Sequence, residues 1–131
     1  MSGFREAIEA NDHDALYAML AEDVVFTSPV AFKPYPGRPI TAAILRAVSQ
    51  VFGDFHYVRE FPNGADHALV FEAKVGDVSI TGCDFLHYNE DGLIDDFMVM
   101  VRPLSAAKAL AEAMGARFED IQAEAVRIMQ G

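Results

Sequence analysis

The sequence predicts an α+β domain with helices first, a curved antiparallel sheet second and a covering helix last. Three observations predict it. Apolar residues recur at helical spacing up to about Phe52, alternate at strand spacing from Phe55 to Arg102, and return to helical spacing from Leu104. Turn signals divide the alternating region into four strands. With 52% hydrophobic and 23% charged residues in 131, the chain can bury a core without a disulfide or metal staple, because about two thirds of the unfolded surface is buried at this size.

The elements follow in order. Phe4, Ala7 and Ile8 give a first helix over Phe4 to Ala10, and Asn11-Asp12 stops it and caps a second over Asp14 to Leu20. Val24-Val25-Phe26-Thr27 is a short β-branched and aromatic strand closed by Ser28-Pro29. The segment with Pro29, Pro34, Pro36 and Pro39 is a shaped loop. Thr41 then opens a helix carrying Ile44, Leu45, Val48 and Val51 on one stripe and ending at Gly53. In the sheet, Pro62-Asn63-Gly64, Gly76-Asp77 and Asn89 to Gly92 are the turns. Residues 104–131 read as a helical extension of a single domain, 1–131: one stripe from Leu104 through Leu110, Met114 and Phe118 to Ile128, capped by Ser105 and bent at Gly115.

Charge and cysteine usage exclude several functions. Twenty acidic against ten basic residues give a net charge of −10 with no basic cluster, so neither nucleic acid nor an anionic membrane is an expected partner. No apolar run reaches the roughly 18 residues of a membrane span, and the first residues read as no secretion signal. The single Cys83 offers no disulfide and fits a reducing, cytoplasmic compartment. No Gly-rich segment has phosphate-loop or dinucleotide spacing, and His67 with Asp95 supplies only two of the ligands a metal needs. No cofactor and no metal are expected.

Loop lengths fix which residues face one another. A two-residue loop at Gly76-Asp77 puts Leu69 opposite Asp84 and His67 opposite Leu86. A four-residue loop at Asn89 to Gly92 puts Phe97 opposite Asp84 and Asp95 opposite Leu86. One face then carries Leu69, Asp84 and Phe97 in a row, with Phe71, Gly82 and Val99 in the next, and Gly82 leaves room above the sheet. A carboxylate set among apolar side chains has its pKa raised by desolvation and becomes a candidate general acid or hydrogen-bond donor. Its other reading is a structural acid paired with a backbone amide, a neighbouring cation or the Tyr57 hydroxyl. His67 shares the Asp84 face and lines the mouth with Asp95; His87 points to the opposite face; His56 is solvated. Cys83, Phe85, Met98 and Met100 form an apolar outer surface suited to a helix cover or a homodimer. Ser28 has neither a His partner nor a nucleophile elbow and reads as turn chemistry.

The order of these elements, Ala10-Asn11-Asp12, the run Glu22 to Pro29, Pro36-Gly37, and Asp84-Phe85-Leu86-His87-Tyr88 with Asp91-Gly92-Leu93-Ile94 resemble the nuclear transport factor 2-like superfamily. Within it the similarity is to SnoaL-like polyketide cyclases and ketosteroid isomerases. The resemblance implies a cone-shaped, cystatin-like sheet around a pocket, and a homodimer through the outer face. It places Asp84 where the isomerases hold a protonated Asp that donates to the substrate oxygen. It places the isomerase base at Ser28, the oxyanion tyrosine at Phe4 and the cyclase acid near Met98 or Val99, none of which carries that chemistry. The function expected is binding of a small hydrophobic molecule, with Asp84 as proton donor in a cofactor-independent isomerase, cyclase or hydrolase reaction. The pocket walls expected are Phe4, Phe26, Ser28, Tyr57, His67, Leu69, Phe71, Phe97 and Val99. The alternative is a noncatalytic ligand-binding or dimerisation module.

Overall fold

A computed structural model describes residues 3–130. Two short helices, α1 (Gly3–Glu9) and α2 (His13–Met19), are separated where Asn11 takes a left-handed conformation and the Asp12 carboxylate accepts the Ala15 N–H at 3.1 Å, the cap the sequence predicts. Strand β1 (Leu20–Thr27) starts earlier than Val24 and is followed by a two-residue strand, β2 (Tyr35–Pro36), inside the Pro-rich loop. Helix α3 (Arg38–Val51) begins three residues before Thr41. Pro39 sits in its first turn, where the missing N–H costs nothing and the fixed φ is already helical.

Strands β3 (Phe52–Asn63), β4 (Asp66–Val75), β5 (Val78–Tyr88) and β6 (Ile94–Arg102) form the antiparallel body of the sheet. The strand order is β2-β1-β6-β5-β4-β3, and β1 runs parallel to β6. The sheet is therefore mixed rather than wholly antiparallel. Buried residues on β4 (Leu69, Phe71, Ala73, Val75) and β5 (Ile80, Gly82, Asp84, Leu86) alternate, so one face is the core face, as the period of two requires.

The β4–β5 register is as expected, with Val75 opposite Val78, Leu69 opposite Asp84 and His67 opposite Leu86. The β5–β6 register differs by two residues. Asp84 faces Val99 and Leu86 faces Phe97, where the four-residue loop predicts Phe97 and Asp95. Two one-residue effects add. The Asn89 side chain accepts the N–H groups of Asp91 and Leu93 and draws Leu93 into the turn, so Tyr88 pairs with Ile94; a bulge then shifts His87 to Asp96. A shift of two keeps every side chain on its predicted face. The bulge also turns Asp95 toward His87, whose Nδ1 lies 2.7 Å from its carboxylate, and away from His67.

The C-terminal stripe is two helices, α4 (Leu104–Gly115) and α5 (Phe118–Gln130). Pro103, not Ser105, occupies the N-cap position of α4. Ala106 and Leu110 of α4 close one end of the core, whereas α5 packs on α3 through Ile121 and Ala125 with Glu124 beside Arg46. On the outer face, Cys83, Phe85 and Met98 are half-buried and Phe61 and Met100 exposed, so no helix among the described residues takes the covering role there. No helix among the described residues is long and apolar enough to cross a membrane.

Candidate active site

Between the concave face, α2, α3 and α4 lies a cavity of about 290 Å³. Its floor is built by the sheet. Asp84 comes from the middle of β5, Val99 from the facing position of β6, Phe97 from the next row, Phe71 from β4 and Tyr57 from β3. Ile44, Leu45 and Val48 descend from the apolar stripe of α3, Leu110 from α4 and Phe26 from β1. Phe52, Phe55, Tyr57 and Phe71 form one aromatic group, with neighbouring ring centroids 5.0–6.4 Å apart. Such edge and offset contacts fix ring orientation more tightly than aliphatic packing does.

Asp84 is the one charged residue among the buried described residues, 6% exposed. Tyr57 reaches over β4 and its hydroxyl donates to Asp84 Oδ2 at 2.6 Å. The other carboxyl oxygen makes no hydrogen bond among the described residues. Burial pushes the Asp84 carboxyl up to about 7, and the Tyr57 hydrogen bond pulls in the opposite direction without cancelling it. Burial, then the adjacent carboxylate, pushes the Tyr57 hydroxyl well above its ordinary range, so Tyr57 keeps its proton. Near neutrality about half of the molecules therefore hold a neutral carboxylic acid whose Oδ2 is occupied by Tyr57. Its proton belongs on Oδ1, the oxygen left for a ligand. This dyad can donate a hydrogen bond to a carbonyl or enolate oxygen in a water-poor site, where such a bond is strongest.

Six of the residues singled out from sequence meet at this cavity: Phe26, Tyr57, Phe71, Asp84, Phe97 and Val99. Four do not. Phe4 is buried in the core, edge-on to Phe97 at 5.5 Å. Leu69 lies fully buried between the strands that carry Tyr57 and Asp84. His67 lies beyond it, stacked edge-on against Tyr88 at 5.0 Å in a shallow surface depression with Phe61, His87 and Asp96. Ser28 lines a neighbouring pocket under the Pro-rich loop, and its hydroxyl accepts the Val30 N–H at 3.1 Å, which is turn chemistry. The room expected above Gly82 is filled by the Phe71 ring.

Sequence reasoning missed the mouth. Glu9, Asn11, His13, Ser49 and Asp54 form a polar rim contributed by α1, the α1–α2 turn, α2, α3 and β3. Asn11 and Asp54 are the two non-glycine residues with positive φ among those described, and both stand on this rim. An Asn-Asp pair before a His reads as capping alone, so only the fold brings these groups to one opening. No group of three or more His, Cys, Asp or Glu side chains that could hold a metal occurs among the described residues.

Helices folded over the concave face of a curved sheet, around an apolar pocket with one buried acid, define a cystatin-like α+β pocket protein. The chain belongs to the SnoaL-like domain family, whose model matches residues 2–97. Among solved structures it is similar to a steroid delta-isomerase from Pseudomonas aeruginosa (41% identity, TM-score 0.86, covering 92% of this chain and 89% of that one). It is also similar to an uncharacterised cystatin-like-fold protein from Silicibacter pomeroyi (42% identity, TM-score 0.85, covering 88% and 82%). An NTF2-like protein of unknown function from Mesorhizobium loti, 20% identical with a TM-score of 0.68 over 76% of this chain and 85% of that one, shares the fold. No curated protein matches.

Proposed function

We propose that this protein binds a small hydrophobic molecule bearing a carbonyl group in the concave cavity and isomerises it without a cofactor, with neutral Asp84 holding the carbonyl oxygen. The observation that carries the proposal is the Tyr57–Asp84 dyad: a buried acid on the wall of an apolar cavity with one of its two oxygens occupied by Tyr57. The likeness to a protein named as a steroid delta-isomerase favours isomerisation over cyclisation or hydrolysis. The uncovered outer face around Phe85, Met98 and Met100 supports self-association as a homodimer.

The second reading, a binding module without turnover, is favoured by Ser28 and Phe4. One is held by a turn and the other buried behind Phe97, so the residues at those two positions supply no chemistry. The test is conversion of androst-5-ene-3,17-dione to its conjugated enone, followed by ultraviolet absorbance. The wild-type chain turns it over, and Asp84→Leu, which fills the same space without a donor, lowers kcat about 100- to 1,000-fold, the usual effect of removing a preorganised donor to a developing oxyanion, with KM changed less than about threefold. Binding of the ketone without conversion by the wild-type chain would establish the module instead.

A further inference from the structure

We propose that His13 is the proton acceptor of this site, working from the mouth of the cavity while Asp84 holds the substrate oxygen at its floor. The assignment rests on the isomerase reading above and supplies what that reading lacks, a base. It is carried by position and by elimination among the rim groups. His13 is half-buried on the rim and its ring makes no hydrogen bond or ion pair among the described residues. The other histidines are engaged elsewhere: His56 with the Asp54 carbonyl and Glu72, His87 with Asp95, and His67 against Tyr88. Of the rim carboxylates, Glu9 is paired with Arg5 at 3.3 Å and Asp54 is exposed. A solvated carboxylate is also a poorer base near neutrality than an imidazole. At about 290 Å³ the cavity is small, just below the roughly 300–1,000 Å³ of ligand pockets, and Asp84 and His13 both line it.

The step balances without a co-reactant. A ring nitrogen of neutral His13 takes a proton from the carbon between the carbonyl and the double bond. The C–H electron pair becomes the new C=C of a dienolate, and the carbonyl π pair moves onto oxygen, whose negative charge Asp84 stabilises by its hydrogen bond. The imidazolium then returns the proton to the far end of the dienolate, the carbonyl reforms, and the double bond has moved into conjugation.

The charged surroundings suit this role. Burial and then Arg46 on α3 lower the His13 pKa, while Asp14 and Asp12 raise it by less; Glu9 and Asp54 are the other charged groups on the rim. His13 is therefore neutral above its lowered midpoint, and Asp84 is protonated below about 7. The profile of kcat/KM against pH is a bell with His13 on its acid side and Asp84 on its alkaline side.

The experiment follows deuterium uptake by androst-5-ene-3,17-dione in D₂O by proton NMR, alongside conversion, for the wild-type chain, His13→Gln and His56→Gln. Circular dichroism melts establish that each is folded. The expected result is a loss of about 100-fold or more in both exchange and kcat in His13→Gln, with KM within about threefold of wild type and the acid limb of the pH profile gone; His56→Gln matches wild type. Exchange in His13→Gln within about threefold of wild type, or an acid limb that persists, overturns the assignment and leaves the isomerase reading standing. A wild-type chain that binds the ketone without exchanging or converting it overturns both.

Discussion

Asp84→Asn will be more stable than the wild-type chain at pH 8, and the advantage will vanish as the pH falls toward 4. The folded-state pKa of Asp84 is raised from 3.8 to about 7, so between those values the folded protein binds a proton that the unfolded chain has released. The sign follows from linkage. The stability of the neutral acid is fully present below the unfolded pKa and is lost progressively as the pH rises through 7. The difference between the two pKa values corresponds to a loss on the order of 4 kcal/mol at pH 8. Asn has the same shape, its amide oxygen can accept the Tyr57 hydroxyl, and it carries no charge to desolvate, so the variant lacks this loss of stability across the window. Urea unfolding at half-unit pH steps measures the effect directly, and at pH 8 Tm shifts by roughly 15 °C. Parallel curves for the two chains would mean that the carboxyl is solvated. Together with the loss of kcat expected for Asp84→Leu, the result describes an acid kept for its chemistry at a cost in stability.

Gly82→Ala is the second large effect. A Cβ at this position would lie 2.3 Å from Phe71 Cζ, 2.7 Å from Phe71 Cε2 and 2.9 Å from the Met100 backbone carbonyl oxygen. Phe71 is 1% exposed and held by Phe52 and Phe55 at ring-centroid distances of 5.5 and 5.0 Å, so the ring has little freedom to retreat within the core. The carbonyl belongs to the neighbouring strand and moves only with the sheet. Overpacking of this kind costs about 1–3 kcal/mol, occasionally more, and the way out for the ring is toward the cavity that Phe71 lines. The expected outcome is both a loss of at least 2 kcal/mol in urea unfolding, of order the upper part of that range, and a weaker affinity for androst-5-ene-3,17-dione. Stability within about 0.5 kcal/mol of wild type would show that ring and strand yield freely.

The elements and faces were legible because the core face repeats every second residue through β4 and β5, and because Gly76-Asp77 sets a two-residue loop that leaves one register. The position of Asp84 on that face followed from the same alternation, which left the Tyr57 hydroxyl as one of three open partners for it. The β5–β6 register was not legible, because it depends on the Asn89 side chain lengthening the turn and on a bulge at Asp95, neither of which alters the hydrophobic pattern. The parallel pairing of β1 with β6 is a long-range choice with no local signal. For the site, the face of a residue was readable but not its distance along the cone. Phe4, Leu69 and His67 were therefore assigned to a cavity that lies nearer Phe71, Asp84 and the end of α3. The rim residues Glu9 and His13 flank the α1–α2 turn, whereas Asp54 comes from β3, far along the chain, and nothing in the spacing announces that it meets them.

The most direct measurement is titration of the aspartate side-chain carboxyl carbons by ¹³C NMR in selectively labelled wild-type protein, with Asp84→Asn to assign the resonance. One aspartate should titrate with a midpoint near 7, and its signal should be missing from the variant. If the resonance that disappears in the variant instead titrates near 4, Asp84 is a solvated carboxylate and not a buried proton donor.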